Sequence, residues 1–477
     1  MTRPPHPAMS PDSFQVTRSE GQDMSVRNGT HVSTAGTGSL PGETDMLSPA
    51  QERLWPGCGG TAVPQAGTII FQTGGEVDVR CLRQALDWLA VRHASLRTSF
   101  AGSDGQPAAA ITYDEVSIPL AVTDLPASGL DAEAVGLPPA FSATAVPLAR
   151  AQLLRRGPGG NTVILAVHPL IADSWSLASL AGELRACYQA AVAGTAPTLP
   201  DLPVQYPDFT HWYRNWLAGP AAEKAAEFWR GQLAGAEPPA VPTDRPRLQA
   251  SWNQTAELAC NFRAGLAEDL AQVAERNHVT LTAVLIAAVQ VLLHGLSGKR
   301  DVTAGLSVPN RVQGGAEDIV GVMGNTIALR AKLPGNPAFR EILASAASSL
   351  AEGWSRQGIP LERAVPERAA GEPPLYQLAV EVHEDSPAPW TPADAPPVVR
   401  YGGPLESDVR LTIWRQGGLL SCRLEYSADL YDEDTVRRLF ADGFAAVLEV
   451  VAGDADVRLS GVGVLSAGEA QRVVGEW

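Results

Sequence analysis

Val163-Ile-Leu-Ala-Val-His168-Pro169-Leu-Ile-Ala-Asp173-Ser174-Trp175-Ser176-Leu177 is the stretch from which the fold is read. An apolar, strand-like run reaches His168, breaks at Pro169, and resumes with helical spacing through Leu177, Leu180 and Leu184. Asp173 or Ser174 stands where an N-cap belongs, because a short side-chain oxygen there accepts a hydrogen bond from an orphan backbone N–H. The stretch predicts a strand, a turn and a helix, with an imidazole and a carboxylate at the edge of a sheet. Rigid scaffolds commonly mount functional groups at such an edge. The same residues also suit a buried histidine ending a strand and an aspartate that only caps.

Working outward, strands alternate with helices on both sides. Before the turn, a Ser48 cap with Pro49 at the first helical position starts a short helix, residues 66–73 read as a strand, and residues 78–93 carry Val79, Leu82, Leu86 and Leu89 on one helical stripe. Strands at 148–154 and 162–168 lead into the turn. Beyond a Pro-rich segment at 237–246 the pattern restarts. It gives a strand at 255–262, helices from Ala264 and Thr280, a strand at 301–308, another after Thr326, and a helix capped by Asn336-Pro337. A strand at 376–383, a hairpin at 408–426 and a final helix at 432–451 complete it. This alternation predicts an α/β protein of two lobes. A chain of 477 residues also exceeds what a single core supports. The expected divisions are a leader over residues 1–44, a first lobe over 45–236, a connection over 237–250, a second lobe over 251–460 and a terminal linker over 461–477.

Hydrophobic content of 45% and charged content of 18% are those of a globular chain. A net charge of −16 without a dense Lys/Arg run argues against nucleic acid or an anionic membrane as partner. The longest apolar run, from Leu281 to Leu293, is too short to span a bilayer. Five scattered cysteines make no metal spacing and point to a reducing, cytoplasmic setting.

Short blocks along the chain resemble, in order and spacing, those of the condensation domains of non-ribosomal peptide synthetases. Ser48-Pro-Ala-Gln-Glu-Arg-Leu-Trp55 is similar to SxAQxRxW, Arg92-His-Ala-Ser-Leu-Arg-Thr-Ser-Phe100 to RHxxLRTxF, and Tyr206-Pro-Asp-Phe-Thr-His-Trp212 to YxDFxxW. Val320-Gly-Val-Met-Gly-Asn-Thr326 resembles IGxFxNT, Arg356 to Glu362 is a weaker HQDxPFE, and Leu465 to Trp477 resembles the linker toward an adenylation domain. The resemblance implies two chloramphenicol-acetyltransferase-like lobes in a V, with a tunnel between them. At its two ends donor and acceptor peptidyl carrier proteins dock, and their phosphopantetheine arms bring a thioester and an amine together to form an amide. The domain needs no cofactor or metal of its own.

The central motif of that family is HHxxxDGxS. His168 matches its first His, Asp173 its Asp and Ser176 its Ser, whereas Pro169 replaces the second His and Ser174 the Gly. Proline has no titratable group, so the base that the family uses on the acceptor amine is missing. A general base contributes about 100- to 10,000-fold, yet holding two reactants together supplies much of an acyl transfer. The resemblance further implies that Asp173 pairs with Arg311 of the other lobe and that Trp175 and Asn325 line the tunnel. Three readings follow. The chain is an atypical condensation domain acting mainly by positioning, or an inactive condensation-like module that recruits or gates partner proteins, or it performs another acyl transfer such as heterocyclization.

Overall fold

The computed structural model of the chain describes residues 42–58, 66–103, 106–125, 141–156, 160–247, 255–311, 315–365, 372–384, 398–400, 404–416 and 418–463. The expected leader up to residue 41, the end of the expected connection (248–250) and the linker-like residues from 464 lie outside these. The first half runs β1 (Gly42–Asp45), α1 (Pro49–Cys58), β2 (Gly67–Thr73), α2 (Val79–Arg92), β3 (Thr98–Ser103), β4 (Gln106–Tyr113) and β5 (Leu120–Asp124). It continues through β6 (Ala149–Arg155), β7 (Asn161–Val167), α3 (Ser174–Ala193), α4 (Tyr206–Leu217) and α5 (Pro220–Leu233). The second half holds β8 (Thr255–Asn261), α6 (Leu266–Arg276), α7 (Leu281–Ser297), β9 (Asp301–Val308), β10 (Asn325–Lys332) and α8 (Phe339–Trp354). β11 (Leu378–Glu384), β12 (Val398–Arg400), β13 (Val409–Gln416), β14 (Leu419–Ser427), α9 (Glu433–Val436) and α10 (Gly443–Gly453) follow.

Two large hydrophobic cores divide these elements, with a small cluster of Ile70, Leu154 and Ile164 beside the first. The first is built on a five-stranded sheet of order β12-β2-β7-β6-β5 with α2 and α3 against it. β7 is buried along nearly its whole length, as a central strand covered on both faces must be. The second is built on a six-stranded sheet of order β10-β9-β11-β13-β14-β8. α7 packs there with almost every side chain buried, which is why its sequence is apolar all round. Among the described residues no single helix is long and apolar enough to cross a membrane. Side-chain caps from Asp78, Asp173 and Thr280 fix the starts of α2, α3 and α7.

Four features depart from the sequence expectations. The end of the expected leader forms β1, which pairs with β4 in a three-stranded sheet β1-β4-β3. Residues 206–233, expected in the first lobe, bury their faces in the second core. Their aromatic rings meet glycines there: a Cβ on Gly353 would lie 3.1 Å from Trp229, and one on Gly358 would lie 3.1 Å from Trp216. α8 takes its N-terminal cap at Ala338 in place of the expected Asn336-Pro337, because Asn336 is engaged with Ser460, donating to Oγ at 2.9 Å and accepting from N at 2.8 Å. The final helix is interrupted by a π turn over Arg437–Asp442.

The halves are also stitched together. β12, from the second half of the chain, pairs antiparallel with β2 in the first sheet. Val320 and Val322 are buried in the first core, although β9 and β10 on either side of them belong to the second sheet.

Candidate functional site

The turn after β7 places the motif residues where the two cores meet. His168 is fully buried, and its Nδ1 accepts the Leu170 N–H at 3.0 Å, with the ring edge-on to Phe141 at 6.0 Å. An imidazole committed in this way orders the turn and has no nitrogen turned outward for substrate. Burial pushes its pKa down to about 4, against a smaller raising contribution from the Cys58 backbone. Pro169, buried beside it, offers neither a proton nor a site for one.

The depressed value has a consequence for stability. His168 is neutral in the folded protein and takes a proton at about pH 6.5 once unfolded, so the unfolded state binds the extra proton as pH falls. The His168 contribution is absent above pH 6.5, becomes unfavourable between pH 6.5 and 4, and amounts to a loss of roughly 3 kcal/mol below that. Urea midpoints measured at pH 7, 5.5 and 4 are expected to show this decline in the natural protein. In His168→Asn the decline over that window flattens, leaving the carboxylate losses at lower pH.

Asp173 lies five residues beyond and has a different task. Its Oδ1 accepts from Ser176 N at 2.9 Å, Ser176 Oγ at 2.7 Å and Arg311 Nη2 at 2.9 Å. Oδ2 accepts from Arg311 Nη1 at 2.9 Å and from the Met323 and Gly324 N–H groups at 3.0 Å each. Ser176 Oγ also accepts from Arg311 Nη2 and from Gly321 N, at 2.9 and 3.0 Å. Burial alone would raise the Asp173 carboxyl, but the Arg311 charge and the bonds from Arg311 and Ser176 hold it below the ordinary range. Asn310, at φ 50° in the left-handed region that Asn tolerates, precedes Arg311 as the chain leaves β9. With every lone-pair direction of Asp173 engaged, the carboxylate clasps the lobes and leaves no capacity for proton transfer.

Ser174, at the first position of α3, reaches in another direction. Its Oγ donates to Glu381 Oε1 on β11 at 2.6 Å, and His383 Nε2 lies 3.2 Å from the same oxygen. Burial works against the Glu381 charge, but His383 and Ser174 outweigh it and hold the carboxyl down at about 2. Burial likewise opposes the His383 charge, and Glu381 raises its pKa above the ordinary value. Sequence reading missed this pair. The signal was a carboxylate and an imidazole at alternate positions, Val380-Glu381-Val382-His383, facing opposite to Leu378, Val380 and Val382.

Of the two expected tunnel residues, Trp175 is 42% exposed, donates Nε1–H to the Glu317 carbonyl at 2.9 Å and lies 5.6 Å from the Arg311 guanidinium. Asn325 is buried, and its amide donates to the Gln357 and Ile359 carbonyls at 2.7 and 2.8 Å. It braces β10 against the 356–362 block and does not line an open surface.

The flanking blocks hold this arrangement in place. Arg92 and His93 both meet Glu183, at 3.1 and 2.6 Å, which fixes α2 on α3. Tyr206 joins Ser48 Oγ and the Val322 carbonyl through its hydroxyl, at 2.7 Å each. Asp208 accepts from the Gln205 N–H at the start of α4. Arg53 of α1 spans to the second half, donating to Glu406 Oε1 at 2.8 Å and to the Gly324 carbonyl at 3.2 Å.

The family model for the Condensation domain matches residues 43–474. The chain belongs to the condensation-domain family. The condensation domain is 31% identical over 457 residues to one of the linear gramicidin synthase proteins of Brevibacillus parabrevis, covering 90% of this chain and 9% of that protein. It is 31% identical to phosphinothricin tripeptide synthetase PhsC of Streptomyces viridochromogenes, covering 89% of this chain and 40% of that one. The condensation domain therefore spans less than half of either relative. Among solved structures it resembles the X-domain from teicoplanin biosynthesis, with 26% identity, a TM-score of 0.74, and coverage of 87% of this chain and 96% of that one. The condensation domain of the monacolin K polyketide synthase MokA shares the fold at 20% identity and a TM-score of 0.75, covering 88% of this chain and all of that one. The condensation domain thus has the two-lobed α/β fold that its sequence blocks imply.

Proposed function

We propose that this condensation domain joins a donor and an acceptor, each carried as a phosphopantetheine thioester on a peptidyl carrier protein, by forming an amide where the lobes meet. Positioning is the main source of rate. The observation that carries this reading is a motif turn complete in its scaffold and altered in its base. Asp173, Ser176 and Arg311 are locked together, while Pro169 occupies the position of the second His. Thioester aminolysis is intrinsically easy, so holding amine and carbonyl together supplies much of what a base would add. An adjacent adenylation domain is the expected neighbour in the assembly.

Reconstitution with loaded neighbouring carrier proteins, read by intact-protein mass spectrometry, tests this. The donor acyl group is expected to move onto the acceptor carrier. Absence of product with every matched pair of carriers removes the reading. A second reading, a module that recruits a partner protein, is favoured by the likeness to the teicoplanin X-domain and by a solved complex of such an X-domain with OxyB. Partner capture without amide formation, together with activity gained by Pro169→His, would establish that alternative.

A further inference from the structure

The six-stranded sheet has two unlike faces. In-register neighbours share a face, so Leu378, Val380, Leu411, Ile413, Cys422, Leu424 and Leu258 point together into the second core. Glu381 and His383 point the other way, with Arg410, Thr412 and Trp414 of β13 and Glu425, Arg423 and Ser421 of β14. Ser174 of the first lobe touches Glu381 on that face, so the polar side of the sheet is turned toward the motif turn. A polar sheet face between two lobes is where a substrate channel can be kept wet without opening either core.

On this face the groups are ordered. Glu381 Oε1 is shared by Ser174 Oγ at 2.6 Å and His383 Nε2 at 3.2 Å. The His383 ring lies flat on Trp414, with centroids 5.7 Å apart and planes 8° apart. Arg423 stands 5.3 Å from the same Trp414 ring, and its charge is met by Glu257 of β8 at 3.8 Å. Arg410 is met by Glu425 at 3.2 Å. The cations facing the cluster from β13 and β14 are thus paired, and Glu381 is the carboxylate left to His383. The His383 side chain retains 29% exposure, against 14% for Glu381, so solvent or substrate reaches the imidazole.

We propose that His383 is the proton acceptor of this site, held by Glu381 and, across the lobe junction, by Ser174. This rests on the reading that a carrier-bound thioester and amine meet between the lobes. With Nε2–H donating to the Glu381 carboxylate, the lone pair of a neutral His383 is on Nδ1. The acceptor amine attacks the thioester carbonyl and a C–N bond forms. The proton of the resulting ammonium passes to Nδ1. The C–S bond then breaks, the pantetheine thiolate takes a proton from the imidazolium, and neutral His383 is restored. Atoms and charge balance without an added reagent. Serine at position 174, where the family motif has glycine, then has a chemical purpose, because it carries the oxygen that holds Glu381 from the opposite lobe. Glu381 and Ser174 act as positioning residues.

The test is the reconstituted carrier-to-carrier reaction, followed as initial rate against pH, with the wild type, His383→Gln and Glu381→Gln. In the wild type the rate is expected to rise with pH through the His383 titration. His383→Gln is expected to lower the rate about 100-fold or more and to abolish that limb. Glu381→Gln removes the group that raises the imidazole pKa, so the limb moves to lower pH. If His383→Gln folds poorly, the ring titration of His383 by NMR in the wild type and in Glu381→Gln decides: a fall in its pKa in the variant supports the pairing, and an unmoved titration overturns it. An active wild type whose His383→Gln variant keeps both rate and pH profile overturns this assignment alone. A wild type that makes no amide with any matched carriers overturns the functional reading, and the assignment with it.

Discussion

Asp173→Ala is expected to destabilise the folded protein by about 3–5 kcal/mol, the cost of leaving a buried cation without its partner. Arg311 has only 2% of its side chain exposed, and the substitution strips both of its charge-assisted bonds along with those of the Met323 and Gly324 N–H groups. Arg311 keeps its bonds to Ser176 Oγ and the Pro309 carbonyl but loses its counter-charge, and the Met323 and Gly324 N–H groups are left unsatisfied. Denaturant unfolding of the single variant and of Asp173→Ala/Arg311→Met checks the cause. The double variant is expected to be less destabilised than the sum of the two singles, because it removes the orphaned charge. Equal, additive losses would show that the pair is not coupled and that the clasp does not hold the lobes as described.

Gly321→Ala is expected to cost about 3 kcal/mol, the upper end of ordinary overpacking. A Cβ at that position would lie 1.9 Å from Tyr206 Cδ2, far inside contact. The ring cannot easily give way, since it is buried and its hydroxyl is tied to Ser48 and Val322. Nor can the backbone shift freely, because the Gly321 N–H donates to Ser176 Oγ at 3.0 Å. The strain would reach the Asp173 clasp directly. Urea midpoints of Gly321→Ala in the natural background and in Tyr206→Ala separate the causes. Most of the cost should vanish in the second background, and a cost that persists there would assign it to the backbone.

The motif turn was legible because three local signals coincide in it. An apolar run stops at a proline, a capping residue follows, and a helical stripe begins. The role of Asp173 beyond capping was not legible from spacing, since its partner lies 138 residues away. It came from the resemblance of the surrounding blocks. The placement of α4 and α5 was misjudged for a similar reason. Aromatic residues announce a buried face, but the glycines that receive them, Gly353 and Gly358, lie more than a hundred residues further on. β12 was missed because three residues carry no period. Asn325 looked like a channel residue since a polar side chain in a motif suggests contact with substrate, whereas its two N–H bonds are spent on carbonyls. The Glu381 and His383 pair was hidden in plain alternation. The sheet register groups the two on one face of β11, and the Ser174 bond to Glu381 shows that this face meets the first lobe.

β12 gives the molecule a property that neither lobe has alone. Its three residues add a strand to a sheet whose other strands come from residues 67–167, so the backbone of one half completes the hydrogen-bond ladder of the other. A chain nicked between residues 233 and 255 would not fall into two pieces, because the fragments remain zipped through β2. Swinging the halves widely apart would mean peeling that ladder, so motion between them is restricted to small rocking about a sewn seam.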